Sequence, residues 1–315
     1  MKKKIAKLPD ASPLPAPLAR PIVATAKAIN KIAMLCKLSV RSFCGKMKDV
    51  SLTREVIAQN GIKDATKANV QKQTMGGDEL NRVINAAAKI RNRHAELTRP
   101  WFKGSVGALP SANFISAKQE MDKLIEEFWN GVENFINSRD KIIERDKKDL
   151  STAFDISDYP SKEELRAKFN VFVEYFPIPT NDDFRVEGLS DAVIEQIRAD
   201  MEKGIMERMR EGDTELLQRL KDEIAHLTER LTVKNKNGQY GFKQNSLDNI
   251  KEVAAQVATL NIGENDKIAS LCDKLASDFD FSADLIREND ETRKEKVSIA
   301  EQRLKEIEKA MSGLV

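Results

Sequence analysis

Between Asn113 and Asp149 the apolar residues Met121, Leu124, Ile125, Phe128, Val132, Phe135, Ile136, Ile142 and Ile143 recur every three or four positions, with charges between them. That period winds them onto one stripe of an α-helix. At about 1.5 Å per residue the helix reaches roughly 50 Å, and its stripe needs a second long helix as cover. Ser190 to Leu231 is the expected partner. Ile194, Ile197, Met201 and Ile205 lead in, Gly212 loosens the middle, and Leu217, Leu220, Ile224, Leu227 and Leu231 alternate steps of three and four as a coiled-coil seam does. The expected fold is therefore mainly α: a long antiparallel helical hairpin, coiled-coil-like, with a small β element and a basic α-helical N-terminal region.

The shorter patterns divide the chain around that hairpin. Residues 1–20 mix lysine with alternating proline and read as a flexible basic tail. Residues 21–110 form a basic, α-rich region. Pro21 suits the first turn of a helix whose apolar face is Ile22, Ala26, Ile29, Ile32, Ala33 and Cys36, with Lys27, Lys31 and Lys37 opposite. Leu38 to Phe43 reads as a short strand, Gly45 to Ser51 as a turn, and Asp78 to Glu96 as a helix with Asp78 as its N-cap. Pro100, Gly104, Gly107 and Pro110 punctuate the next stretch into a loop, where Trp101 and Phe102 plug the join to the long helix.

Residues 111–232 hold the hairpin with a β insert at about 155–188. Ser161 and Glu164 make a capping box opening a helix to Phe169. Val171, Phe172, Val173, Tyr175 and Phe176 form a strand, with Arg185 and Val186 pairing back, so that a small sheet caps the hairpin's end. Residues 233–281 carry a β-tongue turning at Asn237 and Gly238, with Tyr240 and Phe242 alternating across it, then helices Ser246–Leu260 and Asp266–Phe279. Residues 282–315 are a charged C-terminal helix expected on the surface or against a partner.

Composition changes this picture in one respect. Of 315 residues 41% are hydrophobic and 32% charged, a balance suited to long, solvated helices. The net charge of +2 conceals a separation: residues 1–118 hold 22 Lys and Arg against 7 Asp and Glu, and residues 119–315 hold 30 against 43. A basic third of net +15 and a remainder of net −13 favour either nucleic acid or head-to-tail association as the partner. Lys89, Arg91, Arg93, Arg99 and Trp101 are the candidate nucleic-acid residues, because cations beside a stacking surface suit single strands.

Candidate chemistry is sparse. Cys36, Cys44 and Cys272 form no Cys-x-x-Cys pair and read as reduced thiols in a cytosol. Asp10 and the early prolines break any signal peptide, and no stretch is long enough to span a bilayer. His94 and His226 have no ligand partners at zinc spacing. Asp155, Asp158, Asp182 and Asp183 flank the strand and gather around Tyr159, either as a hard-cation site or as turn caps. No phosphate-cradling Gly-x-x-x-x-Gly-Lys, Gly-x-Ser-x-Gly or His-Glu-x-x-His occurs. No catalytic residue, metal or cofactor is assigned.

Several stretches, taken in order, resemble a family of uncharacterised proteins encoded mostly by bacteriophages. They are Leu38, Val40, Gly45 and Lys46 with Glu55 and Val56; Leu97-Thr98-x-Pro100-Trp101 with the Pro taken as Pro100; Leu109-Pro110 with Asn113-Phe114; Tyr159-Pro160-Ser161 with Glu164, Leu165 and Phe169; Asp183-Phe184-Arg185-Val186; and Asn245-Ser246-Leu247 with Asn249, leading to Leu260-Asn261-Ile262. The likeness spans about residues 36–275, with Phe43 where the family pattern often has tryptophan; the tail before Pro21 and the helix after Ser282 lie outside it. It implies a phage or prophage origin, a host-cytoplasm setting, no established activity, and a neighbourhood of recombination proteins or MoxR-like ATPases. The resulting expectation is a non-enzymatic interaction or scaffold protein that self-associates and binds a macromolecular partner. The alternatives are a nucleic-acid-binding protein using the basic third, and a metal-dependent enzyme using Asp158, Asp182 and Asp183.

Overall fold

A computed structural model describes residues 26–102, 104–180, 187–234, 240 and 242–314. The basic tail, the Asp182–Val186 stretch and the Asn237–Gly238 turn lie outside them. The described chain begins with α1 (Ala26–Ile32) and passes directly into β1 (Ala33–Arg41). Ala33 to Cys36, expected to prolong the helix, are strand. The run from Ile29 to Val40 is apolar enough to satisfy both periods, and pairing decides between them. β1 is flanked on one side by β5 (Val106–Pro110) and on the other by β6 (Asn170–Pro177), both antiparallel. Its two faces are then both covered, Leu38 by one core and Leu35 by another.

The expected loop at Thr98–Pro110 is a hairpin. β4 (Arg99–Phe102) pairs with β5, giving a sheet ordered β4-β5-β1-β6. Gly107 lies against Thr98 so closely that a Cβ there collides with its side chain. Between β1 and α3 (Asp78–Leu97) a second, two-stranded ribbon, β2 (Lys46–Lys48) and β3 (Gln71–Gln73), brackets α2 (Val50–Gln59). Gly77 occupies the cap position of α3, and Asp78 is the first helical residue, where its charge suits the helix dipole.

The long hydrophobic stripe at residues 113–149 is realised as α4 (Phe114–Asn137) and α5 (Arg139–Leu150), separated at Ser138. There both the N–H and the hydroxyl of Ser138 bond to the Asn134 carbonyl, a competition that bends helices. α4 does not zip against the second long helix. It lies along α3, with α6 (Lys162–Ala167) alongside. Phe128, Val132 and Phe135 meet Val83, Ala87 and Ile90 in one core, and Gly131 lets the helices approach, its Cβ position 3.6 Å from the Val83 side chain. Any apolar stripe of matching width serves as cover, and α3 supplies one nearer in the chain.

α7 (Asp191–Thr232) is 42 residues long, roughly 60 Å. Its C-terminal half enters a separate core with α8 (Gln244–Leu260), α9 (Asp266–Asp278) and α11 (Asp290–Ser312), which follows the short α10 (Ala283–Glu288). The four leucines and one isoleucine of the seam expected to face α4 are buried here. The C-terminal helix is no surface appendage: Ala300 and Ile307 are fully buried, and Arg293 donates to the Leu231 carbonyl at 3.0 Å while stacking 3.9 Å over Tyr240. It thereby caps the end of α7. Tyr240 bridges to Lys234, the described remnant of the expected tongue.

A third, smaller core joins the two. Trp101 sits in it with Ile29, Leu35, Ile178, Ile205 and Met209. Trp101 does plug a join, although the long helix it meets is α7, whereas Phe102 turns outward beneath the Arg208 guanidinium at 4.5 Å.

Candidate functional site

The five candidate nucleic-acid residues do not share a surface. Lys89 and Arg91 are exposed on α3, and Arg93 is held between Glu96 at 2.8 Å and Glu120 at 2.6 Å. Arg99 and Trp101 belong to the interior, at 0% and 3% exposure. The sequence separation of charge is partly cancelled by folding, since Lys37 pairs with Glu174, Lys72 with Asp158, Arg93 with Glu120 and Arg99 with Asp213.

Arg99 is the most demanding of these. Its guanidinium reaches α7, where it contacts Asp213 at 2.7 Å and donates to the Met209 carbonyl. Gly212 makes the passage: a Cβ at that position would overlap the Arg99 guanidinium. Asp213 also accepts from Asn265 at 2.8 Å, the residue capping α9. One buried cation thus ties sheet, long helix and C-terminal bundle. Burial lowers the pKa of Arg99 and the Asp213 charge works against that shift. Among the described residues Nε and Nη1 of Arg99 have no hydrogen-bond partner.

A second buried cation lies beneath a cleft of about 980 Å³ between α2 and residues 152–158. Lys72, 7% exposed, sits 3.2 Å from Asp49 and 2.5 Å from Asp158, and donates to the Ala153 carbonyl at 2.9 Å. Asp49 is the N-cap of α2, accepting from Leu52 N–H and Ser51 Oγ. Those bonds, assisted by Lys72, lower its pKa to about 2. Burial opposes the charge on Lys72, but the two carboxylates outweigh it and raise its pKa. Beside them Asp146 accepts from Tyr159 Oη at 3.2 Å and from the N–H of Met75 at 2.7 Å, holding that residue at a left-handed φ of 57°. Burial, then Asp146, pushes the Tyr159 phenol upward.

The expected carboxylate group therefore splits. Asp158 is neutralised by Lys72, Asp155 caps its own turn by accepting from Ser157 N–H at 2.9 Å, and Asp182 and Asp183 lie outside the described residues. Among the described residues no three His, Cys, Asp or Glu side chains group as metal ligands do. Of the two imidazoles, His94 is buried with Nε2 3.2 Å from the Cys36 carbonyl, so Nε2 carries the proton, and burial lowers its pKa. His226 contacts Arg230 at 3.2 Å.

The first third of α7 stands apart from these satisfied networks. From Asp191 to Gly204 no residue is buried, although Val193, Ile194, Ile197 and Met201 recur at helical spacing and Val193 is 44% exposed. Ile197, Met201 and Ile205 line a groove of about 410 Å³ with Phe102 and Pro179, with Asp200 and Arg208 at its sides. The hydrophobic period marked these residues as helical, but no sequence signal separated this unburied segment from the buried remainder of α7.

Comparison with protein-family models, with curated proteins and with solved structures finds no match to the chain. Its class rests on the fold: a mainly α protein with a small antiparallel sheet. No helix among the described residues is long and apolar enough to cross a membrane.

Proposed function

We propose that this protein is a helical interaction or scaffold protein that associates with a second copy of itself and engages a macromolecular partner, without chemistry of its own. The observation that supports this reading is the first third of α7, residues 191–204, an amphipathic stretch whose apolar stripe has no buried residue. Laid antiparallel on its symmetry mate, such a stripe meets itself, as a closed two-fold contact requires. Phe102 and Pro179 extend it to the sheet. The resemblance to phage-encoded proteins adds a host-cytoplasm setting and a phage or host protein, such as a MoxR-like ATPase, as the further partner.

The test is molar mass by light scattering across concentration, for the full chain and for I197D/M201D. A concentration-dependent dimer that becomes a monomer in the variant, with the melting temperature retained, supports the proposal. A strict monomer, or a dimer indifferent to the substitutions, overturns it.

A further inference from the structure

A cleft of about 680 Å³ lies between α3 and the sheet, its lining including Ser39, Val40, Arg41, Arg91, Gly104 and Ser105. Among the described residues no carboxylate lines it. Its origin is a mismatch of strand length. β1 has nine residues and β5 five, and after Leu38 N–H donates to Ser105 O at 2.9 Å the β5 chain turns away at Gly104. The alternation of an antiparallel ladder turns the N–H and C=O of Val40 to the edge thus vacated. Arg91 enters the notch and donates one Nη2 bond to the Val40 carbonyl at 3.3 Å. Arg41 is anchored in the same way, Nη2 to the Ala167 carbonyl at 2.7 Å. Each guanidinium has five N–H donors, so each is fixed in place with most of its donors unspent on those carbonyls.

Outside the cleft lining, one strand away across β1, stands an aromatic ring. Phe172 on β6 is opposite Ser39 in the register and 41% exposed, on the sheet face shared by Ser39 and Arg41. Two positioned guanidiniums, the two serines that line the same cleft and an exposed ring one strand away match what a nucleotide unit offers: a phosphodiester with no need for a metal and a base with a π-face.

We propose that this notch binds single-stranded nucleic acid, with backbone phosphate on Arg41 and Arg91 and a base stacked on Phe172. The site is independent of the α7 stripe, and of the residues that composition nominated it retains only Arg91.

The experiment is fluorescence anisotropy of a labelled oligothymidylate of about 16 nucleotides with the full chain, from about 50 mM salt upward. The expected result is binding that weakens steeply with salt. R41A/R91A lowers affinity at least tenfold and reduces the salt slope by about 1.4, since each single-strand phosphate contact contributes roughly 0.7. F172L weakens binding roughly tenfold without changing the slope. If R41A/R91A melts early, S39E places a like charge in the notch and is expected to abolish binding in a protein of unchanged stability. Absence of binding at low salt overturns the proposal, as does binding indifferent to both R41A/R91A and S39E. Inorganic phosphate is the third arm: if it binds as tightly as the oligonucleotide while F172L has no effect, the notch is a site for free phosphate and the nucleic-acid assignment falls.

Discussion

Arg99 and Lys72 show how this chain uses its charges. Both are interior cations held by aspartates from distant segments, and removing one member of such a pair strands the other. Asp213→Ala is therefore expected to destabilise the protein by about 3–5 kcal/mol, read as a shift in urea midpoint. R99M/D213L, which removes both charges, should recover much of that loss. Asp49 makes a different prediction. Its folded pKa of about 2 lies below its ordinary value of 3.8, so between those values the unfolded chain binds more protons and stability falls as pH falls. Asp49→Asn keeps an N-cap side chain but has no carboxyl to titrate. The urea midpoint of the native protein should exceed that of the variant by a constant margin above about pH 4, and the margin should close as pH approaches 2; a margin independent of pH would remove Asp49 from the account. None of these partnerships was legible in the chain, because Arg99 and Asp213, like Lys72 and Asp158, are far apart and each alone reads as a solvated surface charge.

At the scale of elements the helical periods were largely readable and their partners were not. α3, α6, α7, α8 and α9 begin and end within a few residues of the expected bounds, because capping residues and 3.6-residue periodicity are local properties. The Ser161–Glu164 capping box is present as expected. The β1 strand was half hidden, since Ala33 to Cys36 satisfy a helix as well as a strand until β5 and β6 flank them. Two helix-interior glycines make the difference between local and tertiary logic measurable. Gly131 faces Val83 with room for a methyl group, so Gly131→Ala should stabilise by roughly 0.5–1 kcal/mol through helix propensity. Gly212→Ala has the same propensity gain but collides with Arg99 and should destabilise instead. Thermal melts of the two variants moving in the same direction would refute the packing described at one of them.

For the whole molecule, several separate cores replace the single expected seam. The sheet and α3–α6 form one, α7 to α11 another, and Trp101 with Ile205 and Met209 joins them. The expected zip between the two long stripes is absent because each finds cover closer at hand: α4 on α3, and the inner half of α7 on α8 and α11. This leaves the first third of α7 and the notch beside Arg91 as two unlike surfaces, one apolar and one cationic. They are separable by experiment, because the association of copies should survive salt while binding of a phosphate strand should not. Light scattering of I197D/M201D in low and high salt, run beside the anisotropy titration, reads the two independently.

The amino-acid sequence by itself determined that the chain is mainly helical, where most helices run, and that its cations and carboxylates are unevenly distributed, since periodicity, capping and charge reside in neighbouring residues. Only the tertiary structure decided which stripe meets which, which charges are interior, and where an edge of β1 is left open. Those outcomes depend on contacts between residues tens to more than a hundred positions apart, and no local period encodes the choice among several equally apolar faces.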